Sequence, residues 1–224
     1  MIVEGDITLM RKGYDAKLKE VKDLILEMGN IVADEIEIAM VALLTQNAEL
    51  LARVRELEEQ SDALEHKIED TCVSLVALQQ PVAKDLRLIT SALKIATDLE
   101  RMGDHGVNIA NVVERLSKET YIKPLVDLPK MASLVNKMIR GSLSSFVHED
   151  LDEACKVAQL DDEVDAIYEK IYIELLGMLA GNKEIMNQVI DLLFVGRFLE
   201  RTADHATNIC EAAIYHASGK RMEF

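Results

Sequence analysis

The sequence predicts an all-α protein of six long helices, arranged as two homologous three-helix bundles side by side. Three observations predict it. Leu, Ala, Glu, Lys and Met are plentiful, Trp is absent and aromatics reach only 4%, so strand formers are thin. Apolar residues recur at steps of three and four almost throughout. And a polar dodecamer is written twice: "LERMGDHGVNIA" (Leu99–Ala110) and "LERTADHATNIC" (Leu199–Cys210) share seven of twelve letters in order.

The first helix is expected from about Asp6 to Gln46, where Leu18, Val21, Ile25, Met28 and Val32 mark one face. Asn47 reads as the N-cap of a second helix running to Leu78. "QQP" at 79–81 breaks it, and Pro81 is expected in the first turn of a third helix over Val82–Ser117, where a missing N–H is harmless. Pro124 and Pro129 mark a linker. A fourth helix follows over Lys130–Val147. Asp150 with Glu153 reads as a capping box opening a fifth. Gly181 suits its C′ position and Asn182 the N-cap of a sixth, over Lys183–Ala217, ended by Gly219.

Asn47–Ile68 slides onto Asp150–Ile171 without gaps: Val54, Leu57, Asp62, Ala63, Lys67 and Ile68 meet Val157, Leu160, Asp165, Ala166, Lys170 and Ile171. The dodecamers align at an offset three residues shorter, a difference that a helix–helix connection absorbs cheaply. The chain thus divides into a first repeat at 1–118, a linker at 119–129 and a second repeat at 130–224.

At 224 residues the chain can bury one sizeable core or two small ones. Its net charge of −15 repels nucleic acid and anionic lipid, and suits cations or basic protein surfaces. Cys72, Cys155 and Cys210 are scattered, as reduced buried thiols are, with no zinc or disulfide pattern. No apolar run nears the ~20 residues that span a bilayer. "MIVEGDITLM" lacks the basic and apolar regions of a leader, so a cytoplasmic protein is expected.

Within the repeat, an acid, three residues and an Asp recur at four equivalent places: Glu58/Asp62, Glu100/Asp104, Asp161/Asp165 and Glu200/Asp204. Residues i and i+4 share a helix face, so each pair sets two carboxylates side by side at a cost of roughly 0.2–0.5 kcal/mol. Asn108 and Asn208 extend the stripes by a turn. One such pair is ordinary in an acidic protein; four in register suggest convergence into two clusters that take up a cation or protons. All-oxygen donors suit hard cations such as Mg²⁺, Ca²⁺, Mn²⁺ or Fe. His105 and His205 point about 140° from the first acid of each pair and are expected at helix interfaces. Arg101 and Arg201 flank the acids; an ion pair is favoured over the binding of an outside anion.

"QQPVAKDLRLITSALKIATDLERMGDHGVNIA" (Gln79–Ala110) with "GRFLERTADHATNICE" (Gly196–Glu211) resembles the PhoU family of phosphate-signalling proteins, across nearly the whole chain. The resemblance implies two side-by-side three-helix bundles and negative regulation of the phosphate-starvation response. It also implies an adaptor role between a phosphate ABC transporter ATPase and a sensor histidine kinase. It further implies homodimers and multinuclear metal clusters of Fe, Mn, Zn or Mg on Glu58, Asp62, Glu100, Asp104, Asp161, Asp165, Glu200 and Asp204; Asn108, Asn208, Arg101 and Arg201, beside these acids on their helices, are the candidates to support them. The competing class is an enzyme, a metal-dependent phosphoester hydrolase or another di-metal enzyme on a helical bundle. No Glu stands three residues before any histidine, which disfavours a ferritin-like oxidase. No separate nucleophile or general base supports hydrolysis, so a non-enzyme is expected.

Overall fold

The structure, a computed structural model, describes the backbone of residues 4–224 and the side chains of residues 12–224. The reading of "MIVEGDITLM" lies almost wholly on side chains outside these. The described residues are all-α: α1 (Glu4–Thr45), α2 (Leu51–Gln79), α3 (Ala83–Leu116), α4 (Asp127–His148), α5 (Leu151–Ala158), α6 (Asp161–Gly181) and α7 (Met186–Ser218). Helices α1–α3 form one bundle and α4–α7 the other. They lie side by side through α1 on α4 and α3 on α7.

The expected capping oxygens act as caps, but the capping box at Asp150 is half formed, because the Asp150 amide bonds the Ser145 carbonyl rather than the Glu153 side chain. Asn47 Oδ1 accepts from the Glu49 amide and Asn182 Oδ1 from the Glu184 amide, each at 3.0 Å, but each caps a single 3₁₀ turn that leads into the α-helix. Asp150 Oδ1 accepts from the Glu153 amide at 3.0 Å and opens α5. Gln46 (φ 52) and Glu149 (φ 58) occupy equivalent left-handed positions that turn the chain out of the first helix of each bundle.

Four boundaries differ from expectation. Pro81 lies ahead of α3, not within it: Gln80 takes the left-handed position after α2 and Val82 is the extended N-cap residue. Helix α4 starts at Asp127, so Pro129 sits in its first turn, where the lost N–H had no partner. Gly181 is the last helical residue of α6 rather than its C′. The fifth expected helix is two. Gln159 and Leu160 form a tight turn in which the Leu160 and Glu163 amides bond only three residues back. No Gly or Pro between Asp150 and Ile173 announces it.

The core is Leu, Ile, Val, Met and Ala from every helix, with Phe146 fully buried in α4. Helices α3 and α7 run antiparallel: Ser91 meets the Ala212 carbonyl at 3.2 Å, and Arg115 meets Asp191 at the opposite end at 3.0 Å. Helix α1 approaches α4 closely at Gly29, where a Cβ would collide with the Leu143 side chain. The connection between bundles is fastened. Gln188 of α7, 5% exposed, bonds Glu119, the Thr120 carbonyl and the Ile122 amide. Gln46 reaches the Leu116 and Glu119 carbonyls. No helix among the described residues is long and apolar enough to cross a membrane.

Candidate functional site

Each acid-x-x-x-Asp pair lies on the outer side of its helix. Glu58, Glu100, Asp161 and Glu200 are half-buried; Asp62, Asp104, Asp165 and Asp204 are exposed. The inner acid is therefore held by the seam and the outer one is free to turn.

The pairs of α2 and α3 act on one another. Burial raises Glu58 above the usual carboxylate range, and the negative charges of Asp62 and Asp104 add to it. Glu100 is raised by burial, Asp104 and Asp62. The pairs of α6 and α7 converge likewise. Asp161 is pushed up to about 6 by burial and then by the negative charges of Asp204 and Asp165, and Glu200 is raised by burial and Asp204. Asp204 is raised by burial, against the pull of Arg197. Two carboxylate clusters result, one per bundle.

Three acidic or basic side chains join these clusters that the sequence pattern did not single out. Glu35 of α1 is wholly buried behind the first cluster, pushed up to about 9 by burial and then by Glu58, Asp62 and Asp104. Its signal was present: Glu35 falls in phase with Val32, Ile36 and Ala39, all core residues. Glu65, half-buried, is raised by burial and by Glu100. Arg197 forms an ion pair with Glu200, the role expected of Arg201; Arg101 and Arg201 are exposed.

A hard cation is what such a donor set suits. Four carboxylate oxygens, both of Glu35, Oδ1 of Asp161 and Oε2 of Glu200, are buried without a hydrogen-bond partner. Among the described residues no three His, Cys, Asp or Glu side chains are gathered tightly enough to hold a metal as they stand. The fit therefore rests on donor chemistry and on these orphaned oxygens, with the exposed aspartates free to turn inward. A surface cavity of about 620 Å³, lined by Lys94, Tyr215 and Arg221, lies elsewhere and takes in none of the paired acids.

The histidines lie between the bundles. His205 Nδ1 donates to Asp98 Oδ1 at 2.9 Å. Thr202 gives its own proton to the Phe198 carbonyl, so His105 Nδ1 donates to Thr202 Oγ1, at 3.1 Å. The two rings stand 5.6 Å apart at the crossing of α3 and α7. Burial pushes His105 down to about 4, which keeps it neutral. Each histidine follows its cluster's aspartate by one residue, so each cluster is one peptide from the bundle interface.

Two stretches of the chain, residues 25–113 and 128–213, each match the family model described as the PhoU domain. The chain belongs to the PhoU family. The "Phosphate-specific transport system accessory protein PhoU homolog" of Clostridium acetobutylicum is 37% identical to it over 96% of this chain and 99% of the relative. The homologue of the same name from Aquifex aeolicus is 39% identical over 91% of this chain and 92% of the relative. The crystal structure of PhoU from Pseudomonas aeruginosa matches with a TM-score of 0.89 at 35% identity, covering 92% of this chain and all of that one. That of the phosphate transport system regulatory protein PhoU from Streptococcus pneumoniae gives 0.87 at 29% identity over 94% of this chain. Both PhoU repeats of the chain carry paired acids, on α2 and α3 in the first and on α6 and α7 in the second.

Proposed function

We propose that this chain is a cytoplasmic negative regulator of phosphate uptake and of the phosphate-starvation response. It acts as a non-catalytic adaptor between a phosphate ABC transporter ATPase and a sensor histidine kinase. The observation that carries this reading is the match over nearly the full length of both repeats to proteins named as accessory to phosphate-specific transport. The non-catalytic part rests on the same names, accessory and regulatory.

The adaptor is a homodimer that holds a cluster of cations (Fe, Mn, Zn or Mg) in each bundle. Glu58, Asp62, Glu100 and Asp104 hold one; Asp161, Asp165, Glu200 and Asp204 hold the other. A bound cation supplies positive charge between two helices whose facing acids otherwise repel. Its chemistry here is bracing α2 against α3 and α6 against α7. The strongly acidic surface suits docking on basic cytosolic faces of a transporter and a kinase.

Deleting the gene and following a phosphate-starvation reporter in high phosphate tests the reading. Derepression is expected, restored by the wild-type chain. Unchanged repression contradicts it. Steady phosphoester turnover by purified, metal-loaded protein, lost in Glu100→Ala, would instead establish a hydrolase.

A further inference from the structure

The two carboxylate clusters are unequal: three exchanges make the N-terminal one more negative, against an opposing one at Arg55, where the second repeat has Ala158. On the register that sets Val32 against Val135 and Ile36 against Ile139, Glu35 of α1 corresponds to Met138 of α4. Glu65 corresponds to Tyr168. Thr97, whose hydroxyl only reaches the Leu93 carbonyl, corresponds to Arg197, which pairs with Glu200. Each of these exchanges leaves the N-terminal cluster more negative than the C-terminal one.

Glu35 is the deepest of these groups. It is 0% exposed, and neither carboxylate oxygen has a hydrogen-bond partner. Nearby Ser61 gives its proton to the Glu58 carbonyl, at 2.9 Å, and not to Glu35. Helix α3 is shaped around this carboxyl. A Cβ on Gly106 would come within 2.6 Å of Glu35 Oε1, and one on Gly103 within 3.4 Å of Oε2. The second dodecamer has Ala203 and Ala206 at those places, and the buried Met138 is the α4 residue in register with Glu35. An apolar residue thus fills this position in the other bundle, so packing does not demand a carboxyl here. A buried carboxyl without a partner is costly, and more so beside three further acids.

We propose that Glu35 is an additional, interior ligand of the N-terminal cation site, and that this site holds a hard divalent cation more tightly than its C-terminal counterpart. This rests on the metal reading above. The cation would meet Glu35 from within the bundle, with Glu58, Asp62, Glu100 and Asp104 supplying the outer oxygens. The C-terminal site, with Met138 behind it and Arg197 beside it, offers fewer oxygens and less negative charge.

The test is Mn²⁺ binding to the full chain, read from the paramagnetic resonance of free Mn²⁺. Asp165→Asn with Asp204→Asn leaves only the N-terminal site; Asp62→Asn with Asp104→Asn leaves only the C-terminal one. The N-terminal site is expected to bind at least tenfold more tightly. Adding Glu35→Gln to the first background is expected to weaken it at least tenfold, while the metal-free thermal midpoint in chelator stays put or rises. Gln keeps the shape and removes the charge. Glu35→Met with Gly106→Ala, the arrangement of the other bundle, gives a second variant and the same expected loss. Equal affinities at the two sites, or binding in both Glu35 variants within twofold of their background, overturns the proposal and leaves the metal reading standing. No Mn²⁺ bound by the wild type overturns both.

Discussion

Glu149 Oε2 lies 2.7 Å from the Lys84 ammonium, joining the end of α4 to the start of α3 across the bundle boundary. Lys22 of α1 holds the other oxygen at 3.0 Å, and His216 of α7 stands 3.3 Å from it. One residue in a left-handed conformation therefore gathers four helices. The Lys84 and Lys22 hydrogen bonds hold Glu149 down to about 2.

Acid should loosen this junction. A carboxylate depressed in the folded state stabilises above its unfolded pKa, and the stabilisation fades as pH falls toward the folded value. The window runs from about 4.5 down to about 2. With both lysines partly solvated, the contribution is on the order of 1 kcal/mol. Urea midpoints measured between pH 5 and pH 3 should fall more steeply for the wild type than for Glu149→Gln. Parallel curves would remove Glu149 from the account.

The clusters titrate with the opposite sign. Asp161 is raised from 3.8 to about 6, so without metal its ionisation weakens the fold as pH climbs through that interval. Chelator-treated Asp161→Asn should therefore melt above the wild type at pH 7.5 and level with it at pH 4. Added Mn²⁺ should raise the wild-type midpoint at pH 7.5 and do little at pH 4, where protons occupy the site. A midpoint indifferent to Mn²⁺ at both pH values contradicts the cation reading.

Metal content should divide by bundle. Purified Glu100→Ala is expected to lose the N-terminal share and Glu200→Ala the C-terminal share, as judged by elemental analysis beside the wild type. Equal content in all three proteins would show that neither residue is a ligand.

Gly106→Ala should reverse sign with its neighbour. Ala is worth roughly 1 kcal/mol over Gly in a helix interior, but here its Cβ meets the buried Glu35 side chain, 2.6 Å from Oε1 and 3.2 Å from Cγ. Overpacking of this kind costs about 1–3 kcal/mol. The substitution should destabilise the wild type and become neutral or stabilising in Glu35→Met. A double-mutant cycle in urea, run metal-free, reads the coupling; additivity would mean that Glu35 can move aside.

The helical phase of Val21, Ile25, Met28 and Val32 carried the fold, because one apolar stripe per helix is enough to order a bundle. The doubled dodecamer carried half of each cluster, and Glu58/Asp62 and Asp161/Asp165 followed from the gapless alignment. What escaped is instructive. The turn at Gln159–Leu160 uses residues that are good helix formers, and equivalent residues in α2 stay helical, so tertiary context decides it. Glu35 sits in "ADEIEIAM", where Asp34 and Glu37 make it look like one more solvated acid. Arg197 was hidden because Arg201, inside the repeated motif, drew the eye to the wrong turn of α7.

Gln188 fastens the connection between the bundles from α7, 66 residues beyond Ile122. During translation that clasp arrives late. The first bundle leaves the ribosome with its exit connection held only from within, by Gln46, and with the α7-facing side of α3 bare until α7 follows. Synthesis and completion of this pair of bundles thereby follow one order: a chain arrested before α7 carries an open apolar seam, a target for chaperones and proteases until α7 emerges.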